Sequence, residues 1–129
     1  RDRVLAQCGG QLVMTVDRDH CLLLYPTPEW EQIEAKLVRL PSFNKTARKL
    51  QRLLLGHATE VELDAAGRFL VPPVLREFAS IDKHVMLIGQ GNKFELWDEA
   101  RWTTQRDEWL VEAEGEMEHV PTDLESLSL

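Results

Sequence analysis

The chain has 129 residues, 43% of them hydrophobic and 29% charged, which is ordinary for a soluble globular protein with the core of one modest domain or two very small ones. Its longest apolar runs are much shorter than the roughly 20 residues that a membrane-spanning helix needs, and its start, "RDRV", does not resemble a signal peptide. Two cysteines, Cys8 and Cys21, do not make a disulfide framework, so we expect a reducing, cytoplasmic compartment.

The net charge of −7 is unevenly distributed along the chain. The first 106 residues hold 15 bases and 14 acids, whereas residues 107–129 hold eight acids and no Lys or Arg. Residues 35–59 contain six bases and no acid. Because local charge governs a binding surface, the overall acidity does not exclude a nucleic-acid partner. The acidic C-terminal segment is typical of a solvated, poorly ordered tail.

The first predicted unit is a β-hairpin followed by a helix. Two β-rich runs, "QLVMTV" and "CLLLY", flank the turn sequence "DRD". We place Thr27 as the N-cap of the following helix, with Pro28 in its first turn. Trp30 and Leu37 then recur at helical spacing and predict the apolar face of that helix.

A basic amphipathic helix is predicted next, in "NKTARKLQRLLLGHA", with Asn44 as its N-cap. An apolar stripe is expected to face the core: Ala47, Leu50, Leu53 and Leu54. Four bases at spacings i, i+3, i+4 and i+7 share one face: Lys45, Arg48, Lys49 and Arg52. Three interpretations of this face stay open, because solvation, acids of a neighbouring subunit and phosphates would each satisfy its charge.

The stretch "VELDAAGRFLVPP", residues 61–73, predicts a strand, a tight turn at Gly67 and a second short apolar strand. Pro73 is expected in the first turn of a short helix. Arg68 would project from the turn, where a guanidinium can grip phosphate or read guanine. Asp64 can accept hydrogen bonds from the turn or from the arginine and fix its direction. The competing interpretation is a structural Asp–Arg pair that braces the turn.

A second hairpin and helix follow, in "HVMLI", "GQGN" and "KFELW". Asp98 is the predicted helix cap, and Trp102 and Trp109 are expected in the core. A shift of 72 residues places "VMTVDRDHCLLLYPTPEW", residues 13–30, over "VMLIGQGNKFELWDEARW", residues 85–102. Both segments begin with Val-Met and end with Trp, which indicates a tandem repeat. Two unrelated hairpin–helix units are the alternative.

The start of the chain extends this repeat. "RDRVLAQ" is similar to "LREFASI", with Arg1 over Arg76. The first copy therefore begins inside its short helix, and we expect its strand–turn–strand element to lie before residue 1.

A tandem repeat containing "LDAAGRFLVPPVLRE" resembles the MraZ family, bacterial transcription regulators of the SpoVT/AbrB-like class. The stretches "CLLLYPTPEWEQIEAKL", "LQRLLLGHATEVELDAAGR" and "GNKFELWDEARW" are also similar to that family, and the resemblance covers essentially the whole chain. It implies a β-rich α+β fold, a tandem pair of AbrB-like swapped-hairpin units with interspersed helices. The expected divisions are a first unit at 1–40, a connecting basic helix at 41–59, a second unit at 60–110 and an acidic tail at 111–129.

The resemblance also implies a function. Family members bind repeated boxes in double-stranded promoter DNA of the cell-division and cell-wall gene cluster, commonly as repressors. They act as ring-shaped homo-oligomers, in the cytoplasm at the nucleoid. In the family the D-x-x-x-R pattern carries the DNA contact, which corresponds here to Asp64, Gly67 and Arg68. Arg76 and Arg1 match basic residues that face DNA from the short helices, and the bases of residues 45–52 are further candidates. No cofactor, metal or small-molecule substrate is implied.

Two other classes of function compete with this one. Four scattered histidines (His20, His57, His84 and His119) have no metal-ligand spacing with Cys or Glu. The "DRDHC" sequence at 17–21 lies at a hairpin turn, where neighbouring side chains on a strand point to opposite faces, so we do not expect an enzyme. An oligomeric scaffold or partner-binding module without direct DNA contact is the stronger alternative.

Overall fold

Five strands form one antiparallel sheet in the order β3-β1-β2-β5-β4 in the computed structural model, which describes residues 10–116. The elements in chain order are β1 (Gln11–Val16), β2 (Leu22–Pro26), α1 (Thr27–Val38), α2 (Lys45–Leu54), β3 (Thr59–Glu62), α3 (Pro73–Phe78), β4 (Val85–Gly89), β5 (Phe94–Asp98) and α4 (Glu99–Glu116). The predicted β-rich α+β class is confirmed. Within the described residues, no helix is long and apolar enough to span a membrane.

The sheet contains the predicted repeat. Strand β5 and helix α4 begin 72 residues after β2 and α1, respectively. Where the two copies meet, β2 pairs with β5, and Leu23 lies opposite Glu95, its own counterpart at a distance of 72 residues. An antiparallel pairing centred on equivalent positions relates the two copies by a local two-fold axis.

The two hairpins differ in their turns. In the first, the backbone N–H of Asp17 donates to Cys21, so three residues form the loop, and His20 adopts a φ of 61°. In the second, Gln90 donates to Lys93, and the loop has two residues, with Gly91 at a φ of 73°. Loop length determines the strand register of a hairpin, so the registers of the two hairpins are offset by one residue.

This offset changes which side chains are equivalent. Val13 pairs with Tyr25, whereas Met86 pairs with Trp97, the counterpart of Tyr25. Met86 therefore occupies the place of Val13, although the gapless sequence alignment matches it with Met14. Because successive side chains of a strand alternate between faces, Met14 and Met86 lie on opposite faces of the sheet.

Each face of the sheet carries its own hydrophobic core. On the α3 face, Leu75 and Ala79 pack against strand residues that include Met14, Leu24 and Leu96. The opposite face, which we call the helical face, carries α1, α2 and α4. There Trp30 and Leu37 of α1 pack with Val13, Leu23 and Tyr25, and residues of the α2 end complete the cluster.

Helix starts follow the sequence closely, with one exception. Asn44 Oδ1 accepts the backbone N–H of Ala47 at 3.0 Å, and Asp98 Oδ2 accepts that of Arg101 at 3.2 Å, so both predicted caps are confirmed. Helix α3 begins at Pro73 as expected. Thr27, in contrast, is the first residue of α1 rather than its cap, because Pro26 already has the N-cap position and the helix has no side-chain cap.

Three expectations about packing were wrong. The stretch 69–72 is not a strand, because β3 pairs with β1 and residues 69–72 have no ladder partner in the described part of the chain. Leu50 and Leu53 are 40% and 42% exposed, since α2 packs through its Ala47 and Leu54 side instead. Trp109 is 37% exposed, because no other helix covers that end of α4 among the described residues.

Candidate nucleic-acid interface

The turn after β3 is organised by one carboxylate. Asp64 Oδ1 accepts the backbone N–H groups of Ala66 and Arg68 at 2.9 and 2.8 Å. The backbone of Asp64 accepts from Gly67 at 2.9 Å and donates to Arg68 at 2.8 Å. Gly67 has a φ of 79°, a conformation that costs other residues about 1–2 kcal/mol, so the glycine suits the position. The spacing of Asp and Gly in the sequence thus encodes a closed, self-supporting loop.

The same carboxylate orients the arginine. Arg68 Nε donates to Asp64 Oδ2 at 2.9 Å, while the arginine side chain stays 80% exposed. Within residues 10–116, neither Nη group of Arg68 has a hydrogen-bond partner. The hydrogen bond from the Arg68 backbone is the main cause of a pKa of Asp64 below its ordinary value, so the carboxylate is ionised at neutral pH. The turn therefore presents a guanidinium that is fixed at Nε and open at its outer edge.

Two more cations lie around this arginine. An open cleft beside the turn is lined by three bases (Arg68, Arg76 and Lys83), by one acid (Asp82) and by apolar residues that include the stretch 69–71. Arg76 lies on α3, and its Nη2 donates to the backbone carbonyl of Asp82, which fixes the segment that leads into β4. Bases at the rim of a cleft can contact successive phosphates of a duplex. Sequence reasoning predicted Arg68 and Arg76 but missed Lys83, because only the fold brings residue 83 into the same cleft as Arg68.

The other side of the turn has a different character. A second cleft lies between β3 and residues 69–73, and it is lined by apolar side chains, by Arg68 and by three acids: Glu60, Glu62 and Asp64. Carboxylates repel the phosphate backbone, so this cleft does not suit nucleic acid. The candidate interface is therefore the Arg68–Arg76–Lys83 side of the turn.

The other predicted site residues lie elsewhere. No residue of α2 lines either cleft beside the turn, so the structure does not bring Lys45, Arg48, Lys49 and Arg52 together with Arg68. Arg48 Nη1 donates to the carbonyl of Ser42 at 2.8 Å, and the other three bases are exposed. Arg1 lies outside the described residues.

Neither a reactive cysteine nor a cluster of metal ligands is found among residues 10–116. Burial raises the pKa of the Cys21 thiol far above its ordinary value, with further contributions from Glu95 and Asp17, so the thiol is a poor nucleophile. Among residues 10–116, no group of three or more His, Cys, Asp or Glu side chains could hold a metal ion.

Comparison with known proteins identifies the family of the chain. The family model described as "MraZ protein, putative antitoxin-like" matches residues 3–53 and again residues 54–121. The chain belongs to the MraZ family. Two consecutive matches to one family model also confirm the tandem repeat, while the finer domain divisions stay predictions.

Curated relatives of the MraZ family are similar over nearly the whole chain. A "Transcriptional regulator MraZ" of Thioalkalivibrio sulfidiphilus is 59% identical over 129 residues, which cover 100% of this chain and 85% of the relative. The protein of that name from Halorhodospira halophila is 55% identical over 130 residues, covering 100% and 86%. That from Methylococcus capsulatus is 61% identical over 113 residues, covering 88% and 74%. These relatives are named as regulators of transcription, and the comparisons indicate no enzymatic family.

Proposed function

We propose that the chain is a sequence-specific regulator of transcription that binds promoter DNA through the Asp64–Arg68 turn. One observation carries the proposal: Asp64 holds Arg68 through Nε and leaves both Nη groups exposed, without a partner among residues 10–116. A guanidinium with a free outer edge can donate two parallel hydrogen bonds to guanine in the major groove or to a phosphate. Arg76 and Lys83 then contact the adjacent backbone and set the register.

The target follows from the family rather than from the geometry. We infer that the DNA consists of repeated boxes in the promoter of the cell-division and cell-wall gene cluster, and that binding represses the cluster. A single arginine per copy gives modest affinity, so several copies assembled together would engage several boxes at once and gain affinity through effective concentration. Such a regulator works in the cytoplasm, at the nucleoid. The bases of α2 stay candidates for phosphate contact or for contact with a second copy.

The test is DNA binding by the full chain and by an Arg68→Ala variant. The probe is a duplex spanning the promoter of the chain's own gene, with a scrambled duplex of equal length as the control. We expect Arg68→Ala to lose the preference for the promoter, a difference of about 1–3 kcal/mol for each bidentate contact. Arg68→Lys keeps the charge without the planar fork, so it should retain non-specific binding and lose most of the preference.

Assembly and salt provide the controls. Arg68→Ala should leave the size of the assembled protein unchanged, because the side chain is largely exposed and its carboxylate partner belongs to the same turn. Parent affinity should fall steeply between 50 and 200 mM salt, by roughly tenfold or more, since phosphate contacts release counterions. Equal binding of the parent to both duplexes would contradict the proposal, and so would an Arg68→Ala variant that still prefers the promoter.

A further inference from the structure

The second half of α4 carries large apolar residues that stay partly or largely exposed in the described part of the chain, although Trp109 also contacts Trp97 and Trp102. All residues from 106 to 115 are exposed. The large apolar side chains among them are Trp109, Leu110 and Val111, at 37%, 58% and 70% exposure. In proteins, most of a helix's stability comes from tertiary packing of its apolar face. We call residues 106–115 the outer segment of α4.

The repeat shows what kind of element covers this position. The counterpart of Trp109 in the first copy is Leu37, which is only 8% exposed. Leu37 is covered because α2 packs there: Gln51 Nε2 donates to the Leu37 carbonyl at 2.8 Å, and Leu54 packs into the same cluster. The sequence after α4 has no Lys or Arg and no stretch like that of α2. Within residues 10–116, α2 packs against the helix of the first copy, and no corresponding helix packs against α4.

Helix α2 has a second face that is available for this contact. It comprises two half-exposed leucines and three exposed bases: Leu50, Leu53, Lys45, Lys49 and Arg52. We call these five residues the outer face of α2. Within residues 10–116, none of the three bases has a carboxylate within 4.0 Å.

The two surfaces are complementary in charge as well as in apolar character. The outer segment of α4 carries four acids: Asp107, Glu108, Glu112 and Glu114. Its single base, Arg106, already pairs with Asp107 at 3.3 Å. Leucines beside bases on one helix match a tryptophan, a leucine and a valine beside acids on the other. Complementary potentials of this kind steer association and set its register.

Within one chain, the positions of these helices in the fold keep the surfaces apart. Helix α2 packs on the β1 side of the helical face, and α4 packs on β4 and β5. Strands β2 and β5 separate β1 from β4, a distance of about 14 Å at ~4.8 Å per strand. The two surfaces therefore lie toward opposite ends of the sheet. A contact between opposite ends of two identical chains is head-to-tail, and it closes into a ring when the rotation permits.

We propose that the outer face of α2 in one copy docks on the outer segment of α4 in the next copy, and that this contact builds the assembly. The inference concerns the assembly invoked under the proposed function and does not depend on DNA binding. It also assigns the bases of α2 to the interface between copies rather than to phosphate.

A charge exchange tests the contact without DNA. The α2 reversal is Lys49→Glu with Arg52→Glu, and the α4 reversal is Glu108→Lys with Glu112→Lys. Molecular mass is measured by light scattering and sedimentation of the full chain over a range of concentrations. We expect an oligomer for the parent, at least a tenfold rise in dissociation constant for each reversal alone, and recovery of assembly when both reversals are combined.

Matched controls lie on α1 and at its C-cap residue Arg39, where exposed charges of the same signs face solvent. Lys36→Glu with Arg39→Glu matches the α2 reversal in net charge, and Glu31→Lys with Glu34→Lys matches the α4 reversal. Both should assemble like the parent. A monomeric parent, unchanged assembly after either reversal, or no recovery in the combined variant would overturn the proposal. Recovery in the combined variant also shows that the single reversals fold.

The combined variant separates this inference from the DNA proposal. If the bases of α2 belong to the interface alone, the combined variant assembles and keeps the parent's affinity for promoter DNA. Loss of DNA affinity in a fully assembled combined variant would overturn the assignment of those bases to the interface. Failure of the DNA proposal has a different signature, because then parent and Arg68→Ala bind DNA equally while assembly still depends on α2 and α4.

Discussion

The two copies of the repeat share one local design and differ in what surrounds it. Both have a hairpin followed directly by a helix, and they meet at equivalent residues of β2 and β5. In the first copy, β3 pairs beside β1 and α2 covers α1, so strand and helix are enclosed. In the second, β4 is an edge strand among the described residues, with Val85 and Leu87 45% and 42% exposed, and α4 is uncovered toward its end.

The surfaces that we propose to bind DNA and a second copy lie mainly in the more exposed copy of the repeat. The enclosed copy supplies all the buried residues of the helical-face core, whereas the core on the α3 face draws its residues from both copies. The open copy carries the Arg68 turn, the cleft with Arg76 and Lys83, and the outer segment of α4. Surfaces that bind partners must remain accessible, so a duplicated unit can specialise when one copy is buried and the other is left exposed.

The largest difference in stability is expected from replacing equivalent leucines in β2 and β5, the strands through which the two copies meet. Leu24 and Leu96 are 2% and 1% exposed and belong to one cluster, so replacing either by alanine should cost about 2–5 kcal/mol. We expect Leu24→Ala at the upper end of that range, because neither strand beside β2 is an edge strand of the sheet. Leu96 borders the edge strand β4, so its cavity can relax or fill with water more easily. Urea denaturation measures the stability of both variants. A larger loss of stability in Leu96→Ala than in Leu24→Ala would contradict the conclusion that the second copy is the less enclosed one.

A smaller difference in stability is expected between the equivalent residues Leu37 and Trp109. Leu37→Ala removes a buried side chain and should cost about 2–4 kcal/mol of stability. Trp109→Ala removes a larger side chain from an exposed position. Under conditions where the chain is monomeric, it should therefore cost less than Leu37→Ala, about 1–2 kcal/mol, mainly through its edge-on contacts with Trp97 and Trp102. Urea denaturation at low protein concentration measures the stability of both variants. A greater loss of stability in Trp109→Ala than in Leu37→Ala would show that α4 is enclosed.

The sequence predicted the local features because their determinants lie within a few residues. Asp64, Gly67 and Arg68 form a closed set of hydrogen bonds across five positions, and Asn44 and Asp98 cap their helices from adjacent residues. The repeat was visible for a similar reason, since each copy carries its own hairpin and helix.

Features that depend on contacts between distant parts of the chain could not be predicted from the sequence. The sequence of α2 did not reveal which of its leucines pack against the core. Leucines at spacings of three and four lie on neighbouring parts of the helix surface, so the pattern fits more than one orientation of the helix. Lys83 lines the same cleft as Arg68 because of the way the chain folds between the two residues, through α3. The one-residue offset between the hairpins was hidden by the identical "VM" pairs, which aligned the letters although the loops place them on opposite faces.

The smallest effect concerns the two hairpin turns that cause this offset. Each loop holds a residue with positive φ: His20 at 61° in the first and Gly91 at 73° in the second. A Cβ added at Gly91 meets no atom within 4 Å, so Gly91→Ala should be destabilised only by backbone strain, about 1 kcal/mol.

His20→Gly tests the opposite turn. Glycine relieves the strain there, but the imidazole stacks on Phe78 at 5.1 Å and the variant loses that contact. The two terms offset each other, so we expect a net change within about 0.5 kcal/mol, measured by the denaturation midpoint at constant slope. A loss of more than about 1 kcal/mol would show that the stack with Phe78 outweighs the strain, and that the longer loop is kept for its contact with α3 rather than for the register it imposes.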